Sequence, residues 1–353
     1  MELVCVLRGW RRWSVAVVAV VIGAAGTTNA FAEETPATAA QADTGDYAPL
    51  DREGPALSVP AAELAAAVTC TKNVAGATRD PILLVPGTGL NPRTNFSWNY
   101  VRAFDAAKRP WCSVALPGNA LGDIQVAGEY VVHALRHISA LSGRKVDVLG
   151  FSQGGMVPRW ALRFWPDTRA LVDDVIGLAP SNHGTADAEI CVAVCGPALW
   201  QQRATSPFIR ALNSGAETFG GIDYTAVYTR LDEVVIPNLD ARYGSSSLRT
   251  GSGRITNVAT QDICPVNLAE HLSLGSYDAV GYAVAMDALD HAGPASASRV
   301  SRSVCGHAFH PGVNPLTFVS DYADYTTSTV AAVAAYPMVS AEPALRPYVF
   351  ARP

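Results

Sequence analysis

The chain has 353 residues with a formal charge of −5, and 16% of its residues are charged. That acid excess argues against nucleic acid or an anionic membrane surface as an electrostatic partner. The length allows one large domain with a substantial core, and no internal repeat or second boundary is visible.

Arg8, Arg11 and Arg12 precede an apolar run from Val15 to Ala25, and Ala30-Phe31-Ala32 follows with small residues at the positions a signal peptidase reads. The run is about half of the ~20 residues a bilayer span needs, so residues 1–32 read as a signal peptide cleaved after Ala32 rather than an uncleaved anchor. Export to the extracellular space is expected. Removing the leader, with three arginines and one glutamate, leaves the rest more acidic still. Residues 33–60 are rich in Ala, Thr, Pro and acid with few large apolar side chains, which predicts a flexible or loosely draped segment. The folded domain is expected over residues 61–353. Outside the leader, which holds Cys5, six cysteines remain: Cys70, Cys112, Cys191, Cys195, Cys264 and Cys305. An even number in an exported chain suggests disulfides, although six allow 15 pairings. Paired Cys-x-x-Cys motifs and zinc-spaced histidines are lacking, so neither metal nor organic cofactor is called for.

Ile82-Leu83-Leu84-Val85, bounded by prolines, is a continuous apolar run of the kind buried on both faces of a parallel sheet. Val146–Leu149 and Val175–Ala179 repeat the pattern, and Tyr224–Tyr228 and Arg254–Ala259 give two more short strands. Between them, Val126–Leu141 carries Tyr130, Ala134, Leu135 and Ile138 at helical spacing, and Gly155–Phe164 reads as a compact helix. Such alternation predicts an α/β fold with a mostly parallel sheet covered on both sides, its functional groups in loops beyond the strands' carboxyl ends.

Gly150-Phe151-Ser152-Gln153-Gly154 is a G-x-S-x-G pentapeptide placed between a strand and a helix. At such an elbow the serine is strained and exposed, and the helix N-terminus faces a developing oxyanion. A serine hydroxyl needs a base to remove its proton and an acid to orient that base, in the chain order serine, acid, histidine. Asp232, just after the Tyr224–Tyr228 strand, is the best acid; Glu233 is its rival, and Asp240 and Asp262 are weaker. His271, in a loop after Arg254–Ala259, is the best base. His291 is its rival; His133, His137 and His183 precede Asp232, while His307 and His310 fall in a Pro/Gly-rich loop where a solvated structural role is the default. The amide of Gln153 and the loop Pro86-Gly87-Thr88-Gly89, with Thr88 offering amide and hydroxyl, are the candidate oxyanion donors.

These segments resemble the Candida antarctica lipase B family of α/β-hydrolase lipases. The likeness is carried by Pro81–Gly89, Ser152-Gln153-Gly154-Gly155, Ala179-Pro180 before Gly184-Thr185, Trp200-Gln201-Gln202, Asp232-Glu233-Val234-Val235, and Cys264 shortly before His271. It implies an α/β-hydrolase fold with a short lid, an ester- or triglyceride-cleaving enzyme with Ser152, Asp232 and His271 as triad, and an oxyanion hole at Thr88 and Gln153. It further implies bridges Cys70–Cys112 and Cys264–Cys305, a short mobile helix over the mouth between about Asp187 and Trp200, and pocket positions at Phe151, Ser181, Gln202 and Val234. Phe151 and Ser181 stand where the family's namesake has tryptophan and aspartate. No cysteine follows Cys305 to form that protein's C-terminal bridge. Cys191 and Cys195 are extra, and four residues apart they are expected to pair and stiffen the lid. The expected partners are an ester or lipid substrate and, transiently, a lipid interface; a monomer is expected. Acyl transfer to an alcohol is the alternative chemistry, and a non-catalytic binding protein a more remote one.

Overall fold

The computed structural model describes residues 46–352. The leader and residues 33–45 lie outside the described residues.

Seven strands form one sheet in the order β1-β3-β2-β4-β5-β6-β7. They are β1 (Val68–Cys70), β2 (Ile82–Val85), β3 (Trp111–Val114), β4 (Val146–Phe151), β5 (Val172–Leu178), β6 (Asp223–Tyr228) and β7 (Arg254–Ala259). Only β1 runs antiparallel, paired with β3; β2 through β7 are parallel. This is the α/β-hydrolase architecture that the likeness implied. The five apolar runs read from the sequence are the sheet's centre and one flank. The other flank, β1 and β3, is short and carries too little alternation to be found by pattern.

Period-2 alternation divides the interior into two cores, because successive side chains leave a strand on opposite faces. Leu83, Val85, Val146, Val148 and Val175 pack beneath α1 (Ile124–Ser142) and α2 (Gln153–Phe164). Ile82, Leu84, Leu149, Ile176 and Val227 pack against the other face, under α3 (Ala279–Asp290) and Phe318 and Tyr325 of α4 (Phe318–Ala335). Among the described residues no helix is long and apolar enough to cross a membrane.

One expectation needs correcting. Residues 33–60 read as a loose segment by composition, but the described part, 46–60, is bound to the domain. Arg163 donates to the carbonyl of Ala48, Arg169 to that of Leu50 and Trp165 to that of Pro55, at 2.6–2.8 Å. The Glu129 carboxylate accepts from Ser58 and the amide of Val59. Tyr47 forms an antiparallel bridge with Phe350, joining this segment to the C-terminus. Composition weighs the number of apolar side chains; here backbone carbonyls and an amide, which any sequence supplies, add to the few that do pack on the core, Tyr47, Leu50, Leu57 and Val59.

Among the described residues three disulfides are formed: Cys70–Cys112 joins β1 to β3 in register, Cys264–Cys305 secures the loop after β7, and Cys191–Cys195 closes a small loop.

Candidate active site

Ser152 stands between β4 and α2, as the helix N-cap, with φ 53° and ψ −123°, a region costly for any residue with a Cβ. The turn closes because a Cβ on Gly150 would lie 2.0 Å from the carbonyl oxygen of Gly154, and one on Gly154 2.2 Å from that of Val85. Strand, turn and helix therefore approach to backbone contact. Gln153 is the first helical residue, so its amide has no intrahelical acceptor.

The three residues singled out for proton transfer meet. Nε2 of His271 lies 3.1 Å from Oγ of Ser152. Nδ1 of the same ring lies 3.0 and 3.1 Å from the two oxygens of Asp232. All three are nearly closed to solvent, at 6%, 3% and 8% exposure for Ser152, His271 and Asp232. The Asp232 carboxylate is held by the amides of Val234 and Val235, at 3.0 and 2.7 Å, through Oδ1. Burial of the imidazole disfavours its charge, but the carboxylates of Asp232, Glu233 and Glu270 outweigh that, and the His271 pKa is raised above its usual 6.5.

The rivals are otherwise engaged. Glu233 accepts from the backbone amide of His271, not from its ring, and burial followed by repulsion from Glu270 raises its pKa. Asp240 caps its own turn and Asp262 pairs with Arg230. His291 bonds to Asp287 at the end of α3; His133 and His137 stack on each other along α1. His183 is half-buried beside Glu217, its pKa lowered to about 3 chiefly by desolvation. His307 is exposed as expected. His310 is not solvated: it is 2% exposed, stacked on Tyr282, bonded to the carbonyl of Ser276, and its pKa is lowered to about 4 by burial. A Pro/Gly-rich sequence does not reveal that aromatic rings from two helices will close over it.

Thr88 lies in the loop after β2 and is half-buried. Its Oγ1 accepts from Nε2 of Gln153 at 3.1 Å and from Nε2 of Gln202 at 3.0 Å. Ser181 is fully buried and donates to Oε1 of Gln202. Val234 is half-buried, and its carbonyl accepts from Thr185. Phe151, expected at the pocket, is 1% exposed; its ring packs 4.9 Å from that of His271 and tightly against Gly87 and Gly275. It is therefore a floor beneath the imidazole more than a wall of the mouth.

Two supporting residues escaped sequence reading. Asn95 accepts from the Gly87 amide and so pins the loop that bears Thr88. Glu270 caps the short helix His271–Leu274, accepting from the amides of Leu272 and Ser273, and so fixes the imidazole's base. An acid directly before the histidine with serine three residues later was a weak capping signal; nothing in the sequence marked Asn95.

The stretch 187–201 forms a turn (Asp187–Ile190), the stapled loop, and a short helix (Pro197–Gln201). Cys195 pairs with Val339 in both directions, and Trp200 Nε1 donates to the Val339 carbonyl. α4 lies across the Thr88 loop, with Thr329 and Val333 against Gly89.

A cavity of about 580 Å3 opens elsewhere, lined by Tyr282, Met286, His291, Val304 and Phe309. Size does not make it the reactive centre, since Ser301 and Ser303 beside it bond to each other and not to a histidine. Among the described residues, Asp80, Asp147 and Asp173 converge closely enough to hold a cation. They stand at the amino ends of the strands, away from Ser152, and Asp80 and Asp173 are paired with Arg144 and Lys145.

Fold and site together define a hydrolase of the α/β-hydrolase class. No protein-family model matches the sequence. Lipase B of Pseudozyma antarctica is 33% identical over 306 residues, spanning 85% of this chain and 87% of that protein. The crystal structure of Aspergillus fumigatus lipase B is similar with a TM-score of 0.76 and 32% identity, covering 90% of this chain and 77% of the other. The chain belongs to the lipase B family, and with it to the lipases and carboxylesterases.

Proposed function

We propose that this chain is a secreted enzyme that cleaves carboxylic esters, lipids among them, through an acyl-enzyme on Ser152. The observation that carries this reading is the unbroken hydrogen-bonded path Ser152–His271–Asp232. His271 takes the serine proton as the hydroxyl attacks the acyl carbonyl; Asp232 keeps the imidazole in the required tautomer and stabilises its cation. The amides of Thr88 and Gln153, with the Thr88 hydroxyl, receive the oxyanion. His271 then returns its proton to the departing alcohol, and water, activated by the same ring, releases the acid.

Export is supported by the leader-like residues 1–32 and by the three disulfides, which persist in oxidising compartments. Contact with a lipid surface is supported by the stapled loop and the turn before it, where Ile190, Val192 and Val194 are 53%, 80% and 55% exposed, next to the exposed Met338 and Val339. Transfer of the acyl group to an alcohol is a second reading, favoured by the low exposure of Ser152 and His271, which limits competition from bulk water.

The test is Ser152→Ala against wild type with p-nitrophenyl esters and a fluorophosphonate probe. The variant is expected to keep its melting temperature, lose turnover and lose labelling. Undiminished turnover would refute the reading. Product ratios in mixed water and alcohol separate hydrolysis from transfer.

A further inference from the structure

We infer that Gln202 is a positioning residue whose side-chain amide, together with that of Gln153, aims the Thr88 hydroxyl at the oxyanion. This rests on the reading above and extends it from the donors to what holds one of them.

The argument is one of hydrogen-bond valence. Nε2 of Gln153 also reaches the carbonyl of Ala120 at 2.9 Å, and Nε2 of Gln202 that of Ala198 at 3.2 Å. A backbone carbonyl only accepts, so nitrogen and not oxygen must face it in both amides. The second hydrogen of each NH2 group then falls on Thr88 Oγ1. Ser181, donating to Oε1 of Gln202 at 3.0 Å, independently fixes the same amide orientation. A threonine hydroxyl has two acceptor positions and one proton. Two incoming N–H groups fill both positions, so the proton must point away from the two glutamines. Among the described residues it has no acceptor, and Thr88 is the half-exposed member of a group otherwise buried. The proton is thus left for a ligand oxygen beside the Gln153 amide, where acyl oxygen charge develops. Ser181 is neutral, so this orientation does not depend on a titrating partner at that position.

Two substitutions separate this role from packing. Gln202→Glu keeps size and shape but, when ionised, offers Thr88 an acceptor in place of a donor; the hydroxyl turns toward it and leaves the oxyanion. Gln202→Met removes the donor without supplying an acceptor, so the hydroxyl is freed but not turned away. Each is measured for kcat and KM with a p-nitrophenyl ester at pH 8, alone and with Thr88→Val, alongside melting temperature and endpoint fluorophosphonate labelling. The expected order of kcat is wild type, then Gln202→Met, then Gln202→Glu. The last should be roughly tenfold to a hundredfold down, somewhat less than losing a whole oxyanion donor. KM should change little, and the Gln202 effects should vanish in the Thr88→Val background. Packing alone would rank the isosteric Glu nearest wild type. That ranking, wild-type kcat in Gln202→Glu, or equal losses with and without the Thr88 hydroxyl would overturn the inference. If Gln202→Glu fails to fold, a Gln202→Met loss that persists in Thr88→Val would also overturn it. Endpoint labelling of Ser152 in these variants keeps such a failure distinct from failure of the nucleophile assignment.

Discussion

Replacing Asp232 with asparagine tests the proton path with almost no change of shape. Oδ1 of Asp232 accepts two backbone amides, from Val234 and Val235, so in the variant the oxygen of the new amide must stay on that side. Its NH2 group then replaces Oδ2, the oxygen hydrogen-bonded to His271 Nδ1 at 3.1 Å, and leaves the ring only Oδ1, which lies 3.0 Å away but already accepts both amides. Nδ1 must then accept, and the ring proton moves to Nε2, which faces Ser152 at 3.1 Å. A protonated Nε2 cannot take the serine proton. The same exchange in the serine-protease triad costs about 10⁴ in kcat, or about 5.4 kcal/mol of barrier at 1.36 kcal/mol per tenfold. A loss of that order is expected here, because two fixed amides exclude the harmless flip. The assay is kcat against pH with a p-nitrophenyl ester, with circular dichroism to establish folding. A folded variant within tenfold of wild type would refute the assignment of Asp232.

Activity requires a neutral His271, whose pKa is raised; the acid limb of the kcat/KM profile is therefore expected above pH 6.5, the imidazole's ordinary value. Glu233→Gln removes one of the carboxylates responsible, so the limb should move to lower pH; an unmoved limb would show that Glu233 carries no charge where it matters. At the amino end of β5, Asp174 is 5% exposed with Oδ1 unpaired, and its pKa is pushed from 3.8 up to about 9, first by burial and then by Asp147. The folded state holds this proton where the unfolded chain would release it, so stability falls as pH rises from about 4 toward 9. The ceiling at pH 7 is about 4 kcal/mol, and Asp174→Asn should recover about 1–3 kcal/mol of it. Its melting temperature should rise by several degrees at pH 7–8 and match wild type near pH 4; no gain at neutral pH would contradict the assignment. Arg163→Ala strips the carbonyl of Ala48 and the oxygens of Ser214 of their donor. Limited proteolysis should then cut within residues 46–60 faster than in wild type, with a loss of about 2–3 kcal/mol; an unchanged digestion pattern would show that Arg163 does not anchor the segment.

What the sequence determined by itself was the central sheet, the elbow and the order of the reactive groups. β2, β4, β5, β6 and β7 were legible because strands buried on both faces must be continuously apolar. Ser152 was legible because only glycines allow its turn to close, and His271 and Asp232 because they follow strands of a parallel sheet in a fixed order. The strands β1 and β3, the helix Phe318–Ala335 and the anchoring of residues 46–60 were decided by tertiary contacts: short edge strands lack periodicity, α4 keeps just Phe318 and Tyr325 buried, and backbone carbonyls leave no trace in composition. The sequence ranked Asp232 over Glu233 by position and resemblance; only the tertiary structure separates them by hydrogen-bond direction. The two are chemically alike and adjacent in the chain, but the turn at Val234–Val235 directs one carboxylate to the ring of His271 and leaves the other on its backbone amide. Sequence lists which groups can react; hydrogen-bond direction is a property of atoms brought together from distant segments, and folding alone sets it.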